Sequence, residues 1–351
     1  MGQRPVQHPA NRSIAAAKNV KKPLDPNVSA GDDVLIVTDT DHDPEVWRTV
    51  AAALVDLGAH PIVSMFEPRE MDYFDPPESV GEQMQSVDVV VTCTTTAMLH
   101  SPAGHAAMAD AGVPVVTMDG GITIDMLTKG AAAADYKEIE RLTYEVATEV
   151  FEGGSQARLT SEHGTDLTLS VEDRVFVPEE PDPDAPVGWP LKAVELRPGF
   201  TAAVFPGGEF NVPPAPTTAN GTLVVDTTMH TLGRLESPIE LEIADGEIVD
   251  IDGGHQAREL ERLLETYGDE DAYKMPTEFS VGTNPEARVT GVQREDKVML
   301  GCIHVGLGTN ADVGGEVQSR LHMDGVVARP TLEIDGEVKI DRGEILPIER
   351  S

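Results

Sequence analysis

The chain changes its texture once, at Gly153-Gly154, and that change limits the folds open to it. Before it, short apolar runs alternate with stretches of helical pattern. Residues 34–37, 61–66, 87–92 and 113–117 are Val-rich or Ile-containing runs, too short for helices, and they read as buried strands of a parallel sheet. Pro44 suits the first turn of a helix reaching Leu57, with Asp41 or Asp43 placed to cap it. A second helical stretch covers about 97–110. A third covers about 136–151 and is closed by the Gly-Gly pair. This alternation predicts a small α/β domain with a parallel sheet over 25–154.

After Gly154 strand-like runs take over, at 157–160, 166–170, 200–205, 221–227, 239–243, 247–251, 331–334 and 337–340. Asp245-Gly246 and Asp335-Gly336 each separate two of them. An Asp-Gly pair between strands predicts a tight hairpin, because both turn residues must take positive φ. A single helix, 255–267, interrupts the pattern, and the Pro- and acid-rich stretch 178–190 reads as a loop. Residues 155–351 are therefore expected to form an α+β, mostly antiparallel domain.

Charge bears on the environment rather than the fold. There are 61 acids against 26 bases, a net charge of −35, and only 9 of the bases are Lys. Such a field repels phosphate backbones and anionic bilayers, so neither nucleic acid nor a membrane surface is an expected partner. The acids are spread along the chain, as in a protein adapted to concentrated salt, where self-repulsion is screened. A cytoplasmic protein of a halophile is expected. Residues 1–24 differ: they hold five bases and no acid, so removing them takes the net charge from −35 to −40. Without an apolar core segment this stretch is not a secretory signal, and a disordered basic tail is expected. Cys93 and Cys302 are the only cysteines, which excludes a disulfide scaffold and a Cys-based zinc site.

The first domain offers few chemical signals. It has neither a Gly-rich dinucleotide motif nor a phosphate-binding loop. Two acidic segments, Thr38-Asp39-Thr40-Asp41-His42-Asp43 and Asp119-Gly120-Gly121, follow predicted strands, where α/β sites form. Helix capping and tight turns explain them as well. The second domain is richer. His322 and Asp324 are two apart, so on a strand they share a face, and His304 lies 18 residues earlier in a Gly-rich run. Imidazole with carboxylate suits Zn²⁺, Mn²⁺, Co²⁺ or Fe²⁺. Glu209 and Glu278 sit in Gly- and Pro-rich turns that hold a carboxylate through the backbone.

Taken in order, the motifs carry a resemblance. Gly164-Thr165-Asp166-Leu167-Thr168, Phe205-Pro206-Gly207-Gly208-Glu209, Asn220-Gly221-Thr222, Glu278 with Gly282-Thr283-Asn284-Pro285, residues 301–308 and His322-Met323-Asp324 follow one another as in the metallo-aminopeptidases of family M29. The resemblance is good over roughly 155–345 and loose over the α/β part. It implies that Glu209, Glu278, His304, His322 and Asp324 are metal ligands. Three of the five being carboxylates suits two divalent ions (Zn, Co or Mn) that activate a water to hydrolyse short peptides. Glu278 or Glu209 would then also move the proton to the leaving amine. The resemblance further implies a possible homodimer. Arg174 is a candidate substrate contact, with a surface ion pair as the plainer reading. Where the peptidases carry a Tyr beyond the counterpart of His304, this chain has Thr309-Asn310-Ala311. That difference and the chain length resemble a related branch, the 2,5-dihydroxypyridine 5,6-dioxygenases. For that branch the implied cofactor is one Fe(II), held by His304, His322 and Asp324.

Overall fold

The computed structural model describes residues 9–178, 180–182, 184, 202–311 and 314–346. Most of the loop expected at 178–190 lies outside the described residues, as do residues 1–8 of the expected tail. Within them the chain forms one parallel sheet with helices and two antiparallel sheets.

The parallel sheet runs in the order His60–Phe66, Asp33–Asp39, Val89–Cys93, Val115–Thr117, Ala202–Val204. Its inner strands are buried on both faces, as their unbroken apolar runs require. The Pro44–Asp56 helix begins as expected, with the Asp43 carboxylate accepting from the Glu45 N–H at 2.9 Å. The stretch expected at 136–151 is helical over Tyr136–Glu145 and Val146–Phe151, and Gly153 at φ +74° turns the chain out of it.

Two expectations are corrected here. Residues 9–24 are not a loose tail: Pro9–Leu24 is helical, and Ala16, Val20 and Leu24 are fully buried on one stripe. Three of its four bases find partners elsewhere in the chain. Arg12 pairs with Glu45, Lys21 with Asp56, and Lys22 donates to the carbonyls of Ala132 and Ala134, so the basic segment docks on an acidic surface. The run at 200–205, read with the antiparallel region, instead sends Ala202–Val204 back to the edge of the parallel sheet, beside Val115–Thr117. Its small, apolar side chains suit either sheet type, so periodicity does not separate the two.

The second part is a sandwich. A six-stranded sheet runs in the order Gly233–Arg234, Thr228–Met229, His322–Val327, Ile303–Gly308, Glu278–Gly282, Glu209–Val212. An eight-stranded sheet includes Gln156–Thr160, Asp166–Ser170, Asn220–Val225, Ile239–Ala244 and Thr331–Ile334. Leu159, Leu241 and Leu332 from one sheet and Phe279, Val305 and Met323 from the other share a single core, capped by Leu260 and Leu264 of the His255–Tyr267 helix. Because strand side chains alternate, burying Phe279, Val281, Ile303, Val305 and Met323 in the sandwich turns Glu278, Ser280, His304, Gly306, His322 and Asp324 to the opposite face.

Candidate metal centre

That opposite face collects the five predicted ligands from four neighbouring strands. Register sets them side by side: Gly306 pairs with Glu278 on one flank and Asp324 on the other, Gly308 pairs with His322, and Ser280 with His304. Glu209 opens the fourth strand opposite Gly282. Donor atoms fall into two groups within 4.8 Å, Glu209–Glu278–His304 and Glu278–His322–Asp324, which share Glu278. Glu278, His304, His322 and Asp324 are at most 2% exposed.

The hydrogen bonds orient the donors. His304 Nδ1 lies 3.2 Å from the Lys297 carbonyl and His322 Nδ1 2.8 Å from that of Thr309, so each Nδ1–H donates to the backbone. Each Nε2 is thereby turned inward, His304 to Glu278 Oε1 at 3.0 Å and His322 to Glu278 Oε2 at 3.3 Å and Asp324 Oδ1 at 3.1 Å. Backbone-tied Nδ1 with inward Nε2 is how metal-ligating imidazoles are held. Glu209 Oε2 is buried with no hydrogen-bond partner among the described residues, a costly state unless a cation meets it, and buried Asp324 Oδ1 faces the His322 ring. Space is kept as well: a Cβ on Gly306 would stand 2.9 Å from Glu278 Cβ, 3.0 Å from Asp324 Oδ1 and 3.2 Å from His322 Cε1. Donor types, the orphaned Glu209 oxygen and an open cradle all fit a divalent ion.

Electrostatics point the same way. Burial and the Asp324 charge push Glu278 up, but Lys297, the His304 hydrogen bond and His322 outweigh them and hold it at about 2. Burial lowers His322, yet the Asp324 charge and hydrogen bond, with Glu278, raise it to about 9. In the metal-free polypeptide a proton therefore takes the place a cation would fill.

Several residues at the centre carried no sequence signal. Lys297 Nζ lies 3.4 Å from Glu209 Oε1 and 3.3 Å from Asp324 Oδ2, and Gln293 also donates to Asp324 Oδ2. Arg294 is buried and paired with Asp119 at 2.8 Å. The α/β part supplies a wall: the Tyr73 ring packs edge-on to His322 at 5.8 Å, to His230 at 5.9 Å and to His100 at 4.6 Å. Beyond Tyr73 and His100 opens a cleft of about 1080 Å³, also bordered by Phe74, Thr309 and Arg320. His230 Nε2 meets Asp72 Oδ2 at 3.2 Å, and its Nδ1 is buried without a hydrogen-bond partner among the described residues. Asp39 accepts from Asp41, His42 and Thr95, and Asp119 holds Thr92, Met98 and Arg294. Arg174 pairs with Glu316, as the plainer reading has it.

A parallel α/β layer joined to an antiparallel sandwich, with imidazoles and carboxylates gathered on the sheet between them, defines an enzyme scaffold shared by two known branches. The family model described as 2,5-dihydroxypyridine 5,6-dioxygenase (NicX) matches residues 21–347, and the chain belongs to that family. The solved 2,5-dihydroxypyridine dioxygenase of Pseudomonas putida KT2440 superposes with a TM-score of 0.73 at 18% identity, covering 98% of this chain and 99% of that one. AmpT of Thermus thermophilus superposes with a TM-score of 0.63 at 13% identity, covering 96% and 99%. Both branches of the M29-related fold are thus represented. No curated protein gives a significant match by sequence.

Proposed function

We propose that this protein is an Fe(II)-dependent dioxygenase that opens the ring of a small hydroxylated N-heterocycle of the 2,5-dihydroxypyridine type. Family membership supports the reaction class, since the matching family is the dioxygenase's and not the peptidase's. The observation that carries the metal requirement is the pair of backbone-tied imidazoles whose Nε2 atoms face carboxylates across the Gly306 cradle.

His304, His322 and Asp324 would hold the ion, with Glu278 between the two imidazoles. Bound there, ferrous iron supplies the redox-active Lewis acid that lets O₂ react with an aromatic ring. The chain does the rest. Tyr73 and His100, packed edge to face, form an aromatic wall between cleft and centre, which suits an aromatic ring better than an extended peptide. Asp72 fixes His230, leaving its Nδ1 to take or return a hydroxyl proton of the substrate. Buried Arg294 is held by Asp119, which leaves its Nε–H, without a partner among the described residues, to donate to a ring oxygen of the substrate.

A two-metal peptidase acting on short peptides is the second reading, and one observation favours it: Glu278 belongs to both ligand groups. Anaerobic loading with Fe²⁺ in high salt, followed by O₂ uptake with 2,5-dihydroxypyridine and by amino-acid release from leucyl peptides, separates the two. Uptake without release is expected. Release from peptides with no uptake on any hydroxypyridine would overturn the dioxygenase reading.

A further inference from the structure

We propose that Lys297 limits the centre to one divalent ion, its ammonium standing where the charge of a second would be needed. The inference deepens the metal-centre reading and rests on it. Glu209, Glu278 and Asp324 bring three negative charges to the cradle, and Lys297 is the cation that touches two of them. With neutral imidazoles the set sums to −2, which one divalent ion cancels. A second would leave a buried excess of positive charge beside Arg294, whose own charge is already matched by Asp119.

Placement agrees with the charge count. Lys297 Nζ and the Gln293 amide take Asp324 Oδ2, so only Oδ1 is left to face His322. The same Nζ stands 3.4 Å from Glu209 Oε1, while Oε2 of that carboxylate is 3.9 Å from His304 Nε2. An ion bound by Glu209 would therefore sit close to the ammonium, with little water to screen the repulsion, since Lys297 is 7% exposed. The short Gln293–Asp296 helix fixes this arrangement, and the Lys297 carbonyl at its end also accepts from His304 Nδ1. One residue thus orients a ligand and supplies the charge that excludes a second ion.

The test is a metal count on the full chain in high salt, with Mn²⁺ as the probe, by equilibrium dialysis and electron paramagnetic resonance. Wild type should bind one ion with an isolated-Mn²⁺ spectrum. Lys297→Met should bind two, with a spin-coupled spectrum, or gain affinity for the second at least tenfold. Lys297→Arg, which keeps the charge, should stay at one. Two ions of similar affinity in wild type would overturn the role of Lys297 and leave the metal centre standing, and so would a single ion in folded Lys297→Met. If Lys297→Met fails to fold, the wild-type and Lys297→Arg counts decide. No ion in wild type would remove the metal centre itself, and this inference with it.

Discussion

At the scale of single residues the site depends on one missing side chain. Gly306 has an ordinary backbone conformation, so Ala is allowed there by φ and forbidden only by space. Gly306→Ala should fold with an unchanged circular dichroism spectrum and bind metal at least tenfold more weakly; full occupancy in dialysis would refute the cradle. His322 sets the pH behaviour. Its folded pKa of about 9 lies above the ordinary 6.5, so its contribution to metal-free stability is complete below about pH 6.5 and is lost as pH rises through 9. Metal must displace that proton, so affinity should climb roughly tenfold per pH unit up to about 9 and then level off. Isothermal titration between pH 6.5 and 9.5 reads the slope, and a flat profile would contradict it. His230→Gln should keep metal and lose roughly 10²–10⁴-fold in turnover while altering the pH–rate profile. A loss of metal or an unaltered profile would assign it to structure instead. Of the five ligand candidates, strand alternation marks His322 and Asp324, and the order of motifs in the family resemblance supplies the full set. Lys297 was not. It ends Arg294-Glu295-Asp296-Lys297, which reads as a solvated charge run, yet all four residues are buried by contacts from distant segments. Tyr73, His100 and His230 join the site only through tertiary packing.

At the scale of elements, turn chemistry is the most readable part of the chain. Asp245-Gly246 and Asp335-Gly336 adopt the double positive φ that Asp-Gly predicts, 51° and 77° in one, 50° and 83° in the other. Their surroundings differ, and that difference is testable. A Cβ on Gly336 meets nothing within 4 Å, so Gly336→Ala should cost only backbone strain, about 1 kcal/mol. A Cβ on Gly246 would stand 2.7 Å from Thr217 N, so Gly246→Ala adds a backbone clash and should cost about 2–3 kcal/mol. Thermal unfolding of both variants checks the order, and equal losses would show that the Thr217 segment yields freely. What the sequence hides at this scale is destination. The helix Pro9–Leu24 is masked by its bases, which find carboxylates and carbonyls on another part of the chain. Ala202–Val204 is too short and too small to declare which sheet it joins. Both are matters of long-range pairing, which period and composition do not encode.

For the molecule as a whole, the governing quantity is the net charge of −35, and we propose that it suits concentrated salt. No helix among the described residues is long and apolar enough to cross a membrane. Compaction brings like charges closer than in the unfolded chain, so self-repulsion opposes folding. The Debye length shrinks from about 10 Å at 0.1 M to about 3 Å at 1 M, and the repulsion fades accordingly. Thermal midpoints should therefore rise by many degrees between 0.1 and 2 M KCl. Salt should weaken exposed pairs such as Arg158–Asp166 over the same range, but fully solvated pairs contribute too little to reverse the trend. A midpoint insensitive to salt at pH 7 would mean that the acids are matched locally by cations too well to need screening, and would leave the charge without a role in the environment the protein works in.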